Sequence, residues 1–177
     1  MTDERIGNEL LDALASLPRG DGGVVFRHHG YSPGERMAHG EVVAARCRAL
    51  GLTLAVSRDL LLAKRLGAAL VHNPAEAPGT LPFSRSAHSL AQAREAMAAG
   101  AALIFLSPLF ATRSHPGQEP LSRAAARQII AECNVPVIGL GGMDSKRFED
   151  REGDGLYGWA GIAAWLGRDQ NLKAVPT

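Results

Sequence analysis

The sequence predicts an α/β fold built on parallel strands. Short apolar runs alternate with helix-length segments along almost the whole chain. Those runs show little polar alternation, so both faces of each strand are covered, as in parallel sheets flanked by helices. Helical connections of this length join parallel strands as right-handed βαβ units. Seven strands can be read. A (β/α)8 barrel needs eight, so a doubly wound open sheet is the competing architecture. No linker splits the chain, and residues 1–177 are read as a single domain.

The elements follow in order. A helix over 10–17 is stopped by Pro18-Arg19-Gly20. A strand over 23–27 leads to a helix over 33–50, with Ser32 as cap, Pro33 in the first turn and Gly51 past the end. A strand over 52–57, a short helix over 59–66 closed by Gly67, and a short strand over 69–72 come next. After a Pro/Ala/Gly loop, a strand over 81–84 precedes a helix over 86–99 that ends at Gly100. The strand over 102–106, the helix over 122–132 and the strand over 135–140 form the best-marked unit. A short helix around 144–149, a strand over 155–159 and a helix over 161–166 complete the pattern.

Composition narrows the function. Apolar residues make up 46% and charged residues 21%, which describes a globular chain rather than a disordered one. A formal net charge of +1 argues against nucleic acid as a partner. No apolar run is long enough to span a bilayer, and Met1-Thr2-Asp3-Glu4-Arg5 is not a signal peptide, so a cytoplasmic protein with no membrane partner is expected. Cys47 and Cys133 lie in predicted helices without metal-ligand spacing and read as reduced core residues. The dinucleotide fingerprint G-x-G-x-x-G is absent.

Two strand ends point to a ligand. The run 102–106 opens into Ser107-Pro108-Leu109-Phe110-Ala111-Thr112-Arg113-Ser114-His115, and the run 135–140 ends in Gly141-Gly142. Ligands of α/β proteins sit at the carboxyl ends of parallel strands. Glycine amides can approach an anion without a Cβ in the way, so a phosphorylated small molecule is the expected partner.

The same residues carry a family resemblance. Ser86-Ala87-His88-Ser89 resembles the Ser-Thr-His-Ser segment of thiamine phosphate synthases. Ser107 to Ser114 is similar to their Gly-Pro-x-Phe-x-Thr-x-Thr loop, and 135–143 to their Pro-Val-x-Ala-Ile-Gly-Gly-Ile turn. Gly67-Ala68-Ala69-Leu70-Val71-His72 matches Gly-Ala-Asp-Gly-Val-His. In register from about Val24 to Leu166, these segments resemble the thiamine phosphate synthase and thiazole tautomerase superfamily. The resemblance implies a (β/α)8 TIM barrel. Because the family's first strand ends in Thr-Asp and Thr2-Asp3 opens this chain, that strand is expected to be lacking or truncated, with the coding start inside the ancestral domain. An exposed edge and the superfamily habit suggest a homo-oligomer.

The implied reaction joins a hydroxymethylpyrimidine diphosphate to a thiazole phosphate and releases pyrophosphate. The resemblance assigns Arg27, His29, Ser86 and His115 to the diphosphate, with Arg27 retained and His29 and His115 standing in for lysines. Arg27 could otherwise be a surface pair. Arg58 joins the substrate-binding set, as do the hydroxyls of Thr112 and Ser114, the Gly141-Gly142 turn with the helix near Asp144, and the turn at Trp159-Ala160. His72 and His88 read as structural, and His39 as an exposed helix residue. The family implies Mg2+, but Ser57-Arg58 stands where its Asn-Asp ligand pair belongs, Asp59 is expected to point away, and Glu76 is the one weak metal candidate. Either Arg58 replaces part of the metal's charge or the diphosphate reaction has been lost. The alternatives are a degenerate barrel that only binds a phosphorylated ligand or partner, and a tautomerase, although Pro108 occupies the tautomerase's histidine position.

Overall fold

The computed structural model describes residues 1–76, 78–111 and 117–162. They fall into two compact units, Met1–Phe83 and the stretch from Ser84 through Ile162, the last described residue. Together they contain seven strands, and the strands paired within each unit run parallel.

The first unit holds β1 (Gly23–Phe26), β2 (Thr53–Ser57) and β3 (Leu70–His72), ordered as in the chain. Val25 pairs opposite Ala55, and Ser57 opposite His72. The sequence makes strands here because Val24, Val25, Phe26, Leu54, Ala55, Val56 and Val71 are apolar on successive positions and all are buried. Two 3-10 turns over Glu4–Glu9 lead into α1 (Leu10–Ala15), shorter than the expected helix over 10–17. The helix α2 (Pro33–Leu50) has a full capping box: Ser32 Oγ accepts from the Glu35 N–H, and the Ser32 N–H donates to the Glu35 carboxylate. It stops at Gly51 in the left-handed conformation that glycine adopts without strain. Asp59 caps α3 (Leu60–Leu66). Val43, Ala44 and Cys47 from α2 and Leu62, Ala63 and Leu66 from α3 are buried with the strands. Burial pushes the Cys47 thiol up to about 11, which fits a structural thiol.

One pairing bears on the barrel expectation. The Thr2 N–H donates to the Val25 carbonyl at 2.9 Å, on the flank of β1 where a preceding strand would lie. What stands is an α/β fold of seven parallel strands, with that single backbone bond beside the first.

The second unit holds β4 (Phe83–Ala87), α4 (Leu90–Ala98), β5 (Leu103–Leu106), α5 (Arg123–Glu132), β6 (Val137–Gly139), α6 (Ser145–Glu149) and β7 (Gly158–Trp159). The expected strand over 81–84 lies further along, so Ser86 belongs to β4 rather than to the following helix. Its register places Ser86 opposite Phe105. Ser89 is the true cap of α4, accepting from the Gln92 N–H, and Ser122 caps α5 in the same way. The last strand is two residues long rather than five: a turn over 151–153 leads into Asp154, and 155–157 are not strand. Cys133 caps the end of α5 instead of lying within it. No helix among the described residues is long and apolar enough to cross a membrane.

Asp154 is the electrostatic anchor of this unit. Its side chain is 2% exposed and is held by Arg123 through bonds of 2.9–3.1 Å, with Arg151 at 3.4 Å and Arg127 at 3.8 Å. Burial alone would raise the carboxyl's pKa, but the Arg123 and Arg151 guanidiniums outweigh it and hold the carboxyl below its usual value.

Two stability outcomes follow. Leu106 is completely buried on β5, so Leu106→Ala should lower unfolding free energy by about 2–5 kcal/mol in urea titrations. A depressed carboxylate stabilises the fold above its ordinary pKa near 4, and that contribution disappears as pH falls through the folded value. Stability of the parent chain should therefore drop in that acid range. Asp154→Asn should cost about 1–3 kcal/mol at pH 7 and flatten the acid limb, as read by denaturant midpoints from pH 7 down to 3.

Candidate functional site

In the first unit, each of the three strands ends in a left-handed residue that is not glycine. His28 has φ 35°, Arg58 φ 66° and Asn73 φ 48°. Such backbone costs on the order of 1–3 kcal/mol per residue, and persists where neighbours fix it. Arg36, from the first turns of α2, supplies much of the fixing. Its Nε donates to the Arg27 carbonyl at 3.1 Å, Nη2 to the Ser57 carbonyl at 2.8 Å and Nη1 to the Asp59 carboxylate at 2.9 Å. The Arg58 N–H donates to the His72 carbonyl at 2.8 Å. Thr2 Oγ1 accepts from the Arg27 N–H at 2.9 Å and lies 3.0 Å from His28 Nδ1. Burial lowers the His28 pKa, so its neutral ring can accept the Thr2 hydroxyl while stacking on Phe26.

The arrangement brings Arg27, His29 and Arg58 to one rim. His29 Nε2 is 3.2 Å from Ser57 Oγ. Its pKa is lowered, first by burial and then by the charges of Arg36, Arg58 and Arg27. His29 is therefore a neutral hydrogen-bonding group near pH 7, not the cation that a lysine would supply. Arg27 is half-buried and Arg58 exposed, and neither side chain forms an ion pair among the described residues. Arg27 does feel the charge of Asp3, but that carboxylate is held by both Nε and Nη2 of Arg5.

The rim does not suit magnesium. Asp59 caps α3, accepting from the Leu62 N–H at 2.8 Å, and is paired with Arg36. Glu76 is exposed. Among the described residues no group of three or more His, Cys, Asp or Glu is placed to hold a metal ion. A guanidinium stands where a hard oxygen ligand would be required.

In the second unit, the loop after β5 is zipped onto the turn after β6. The Leu109 N–H donates to the Leu140 carbonyl and the Phe110 N–H to the Gly141 carbonyl, both at 3.0 Å. Gly141 (φ 87°) and Gly142 (φ 62°) are required by space as well as by backbone. A Cβ would lie 2.7 Å from Pro108 Cα at the first position and 2.7 Å from the Ala111 carbonyl oxygen at the second. The Gly142 carbonyl accepts from Arg147 Nη1. Both glycine carbonyls are thus engaged, while both amide N–H groups lack a partner among the described residues. Arg147 and Arg151 each lie against the Phe110 ring, at 5.0 and 4.9 Å from its centroid.

Two expectations change here. The helix near Asp144 adds no positive end for an anion: α6 has five residues, and Asp144 accepts the Arg147 N–H at 2.8 Å. The Ala160 N–H is committed to the Gly139 carbonyl at 2.8 Å, so that amide is not available to a ligand. Trp159 is half-buried opposite Gly139. Ser86 is half-buried on β4. His88 Nδ1 lies 2.7 Å from the Ser107 carbonyl, a structural role as expected. Thr112, Ser114 and His115 lie outside the described residues. Sequence reasoning missed Thr2, Arg36, Arg147 and Arg151. An arginine in the first turns of a helix, against the macrodipole, was the available signal for Arg36.

Comparison with known proteins bears on family and fold. The family described as Thiamine monophosphate synthase matches residues 1–165. A protein of Aquifex aeolicus named Putative thiamine-phosphate synthase 2 is 40% identical over 81 residues, covering 46% of this chain and 44% of that protein. Thiamine-phosphate synthase of Parasynechococcus marenigrum is 28% identical, over 94% of this chain and 51% of that protein. The chain thus spans about half the length of these curated relatives. Among solved structures, a thiamine phosphate pyrophosphorylase from Pyrococcus furiosus superposes with TM-score 0.83 at 21% identity, over 98% of this chain and 88% of that one, which establishes likeness of fold. From its first residue to residue 165, the chain belongs to the thiamine monophosphate synthase family.

Proposed function

We propose that the chain is a transferase that joins a hydroxymethylpyrimidine diphosphate to a thiazole phosphate, giving thiamine phosphate and pyrophosphate. One observation supports the reading: at Gly141-Gly142 the carbonyls are bonded away and the amides have no partner among the described residues, inside a chain that belongs to this family. Adjacent unpartnered N–H groups form an anion-receptive nest suited to a phosphate monoester. Membership in the family also supports a (β/α)8-type domain, with the Thr2–Val25 bond at the position of its first strand.

The chemistry needs no protein nucleophile. The methylene C–O bond of the pyrimidine diphosphate breaks, and its electron pair leaves with pyrophosphate. The lone pair of the thiazole nitrogen then forms the new C–N bond to the methylene carbon. Charge accumulates on the departing oxygen, so fixed cations stabilise the transition state more than the ground state. Arg27 and Arg58 supply that charge, and neutral His29 supplies a hydrogen bond. Ser86 and His115 complete the diphosphate set, with Thr112 and Ser114 toward the thiazole. Gly141 and Gly142 take its phosphate and Trp159 borders it. The step is assigned no magnesium, because the first unit's carboxylates are not disposed to hold it.

Incubating the protein with both substrates and measuring thiamine phosphate and pyrophosphate tests the reading. Equimolar formation is expected, and a complete absence of product with folded protein at every metal concentration sinks it. Gly142→Ala should raise KM for the thiazole phosphate at least tenfold, because its Cβ would collide with the Ala111 carbonyl, while KM for the diphosphate stays within about twofold. Arg27→Ala should lower kcat by roughly 10²–10³, the loss seen when one transition-state donor is removed.

A further inference from the structure

The first unit carries a substitution of charge type at the rim described above. Arg58 is held at φ 66° by its own N–H bond to the His72 carbonyl, which fixes the stem of an exposed, unpaired guanidinium. Arg27 stands at the end of the neighbouring strand, its backbone fixed on one side by Thr2 and on the other by Arg36. Arg36 is different, because Asp59 neutralises it. Arg27 and Arg58 are left at this rim without an ion pair among the described residues, and Glu4, whose carboxylate accepts the Gly30 N–H at 2.7 Å, is an acidic group that also acts on His29. Between the two arginines His29 and Ser57 hold a hydrogen-bonding pair. Asp59, the carboxylate paired with Arg36, already caps a helix and cannot turn to a metal without uncapping α3, and the Glu4 carboxylate is bonded to the Gly30 N–H.

We infer that Arg58 and Arg27 together replace the divalent cation, so that this rim takes a diphosphate group as the free, metal-uncomplexed anion. This deepens the proposed transferase reading and rests on it for the identity of the diphosphate ester. The anion class itself follows from the two unpaired guanidiniums. Guanidinium forks match two phosphate oxygens at once, which a compact metal ion does by a different geometry. Magnesium bound to the diphosphate would then compete with the protein for the same oxygens rather than bridge the two.

Calorimetric titration of the full chain with sodium pyrophosphate, in EDTA and again in excess Mg2+, tests this. Binding is expected in EDTA, and Mg2+ should weaken it. Arg58→Asn should weaken binding in EDTA at least tenfold. Asparagine tolerates the left-handed backbone, so the loss reports charge and not a strained turn. Arg58→Lys should retain part of the affinity, and Arg65→Ala, on the exposed side of α3, should leave it unchanged. Pyrophosphate that binds only when Mg2+ is present overturns the inference, as does an Arg58→Asn protein that binds like the parent, or a folded parent that binds in neither condition. The two readings fail separately. Metal-independent binding without synthesis removes the transferase and leaves this site, whereas synthesis with strictly magnesium-dependent pyrophosphate binding does the reverse.

Discussion

The carbonyls of Arg27 and Ser57 and the carboxylate of Asp59 all converge on one guanidinium, that of Arg36. Each of these groups sits at the carboxyl end of a strand or at the start of the helix that follows. A carbonyl at such a place has run out of strand partners, and leaving it unbonded out of water would cost its full desolvation. Arg36 satisfies two of them with a side chain only 12% exposed, and takes a counterion in the same fork. The consequence is a division of labour among cations. Arg36 has its charge neutralised and acts as a structural tie, and Arg27 and Arg58 are held by their backbones with their side chains unpaired. The rim's charge therefore depends on Asp59 facing Arg36, on Asp3 being held by Arg5 and on Glu4, whose carboxylate accepts the Gly30 N–H.

The second unit solves a related problem with the opposite polarity. In its turn after β6 both glycine carbonyls are bonded, to the Phe110 N–H and to Arg147, and the glycine amides have no partner among the described residues. Arg147 does this while lying over Phe110, whose own N–H is bonded to Gly141. The loop after β5 and the turn after β6 are thereby one object, cross-linked by backbone bonds and a cation over a ring. Arg151 reaches both this ring and Asp154, so the buried carboxylate that fixes α5 also restrains the turn. A change at Asp154 is expected to be felt at the glycine pair through Arg151, because packed networks transmit displacement through contacts of this kind.

Much of this organisation was readable from local chemistry. The capping serine at 32, the glycines that end α2 and α3, and the unbroken apolar runs at 54–56 and 103–106 fix helices and strands by rules that act within a few residues. Where the signal was tertiary, it misled. The strand 83–87 carries Arg85 and Ser86, which read as a break and a helix start after a strand over 81–84, yet pairing with β5 extends the strand through them. The stretch 155–159 looked like a full strand, but Asp154 and its arginines hold the preceding residues in a turn. At the site, the glycine pair and Arg27 were legible because their residue types leave few other uses. Arg36 and Thr2 were not, since their partners lie nine to twenty-six residues away and include backbone groups that no residue type announces.

Arg58 shows why a family pattern has to be read through electrostatics before a cofactor is carried over. A divalent cation brought to roughly 6 Å from a guanidinium, at an effective dielectric near 20, is repelled by about 5 kcal/mol. Glu76, exposed and alone, offers only part of the set of hard oxygen ligands that such an ion requires. Retaining the metal would thus demand ligands that the first unit has committed elsewhere. Retaining the anion demands only positive charge and hydrogen-bond donors, which Arg27, Arg58 and the His29–Ser57 pair provide. His29 completes the argument from the other side. Its lowered pKa records, after burial, the combined push of three guanidiniums, and such a field is the one a diphosphate relieves. An arginine in place of the aspartate therefore reverses what this turn attracts, from a cation that escorts the diphosphate to the diphosphate itself.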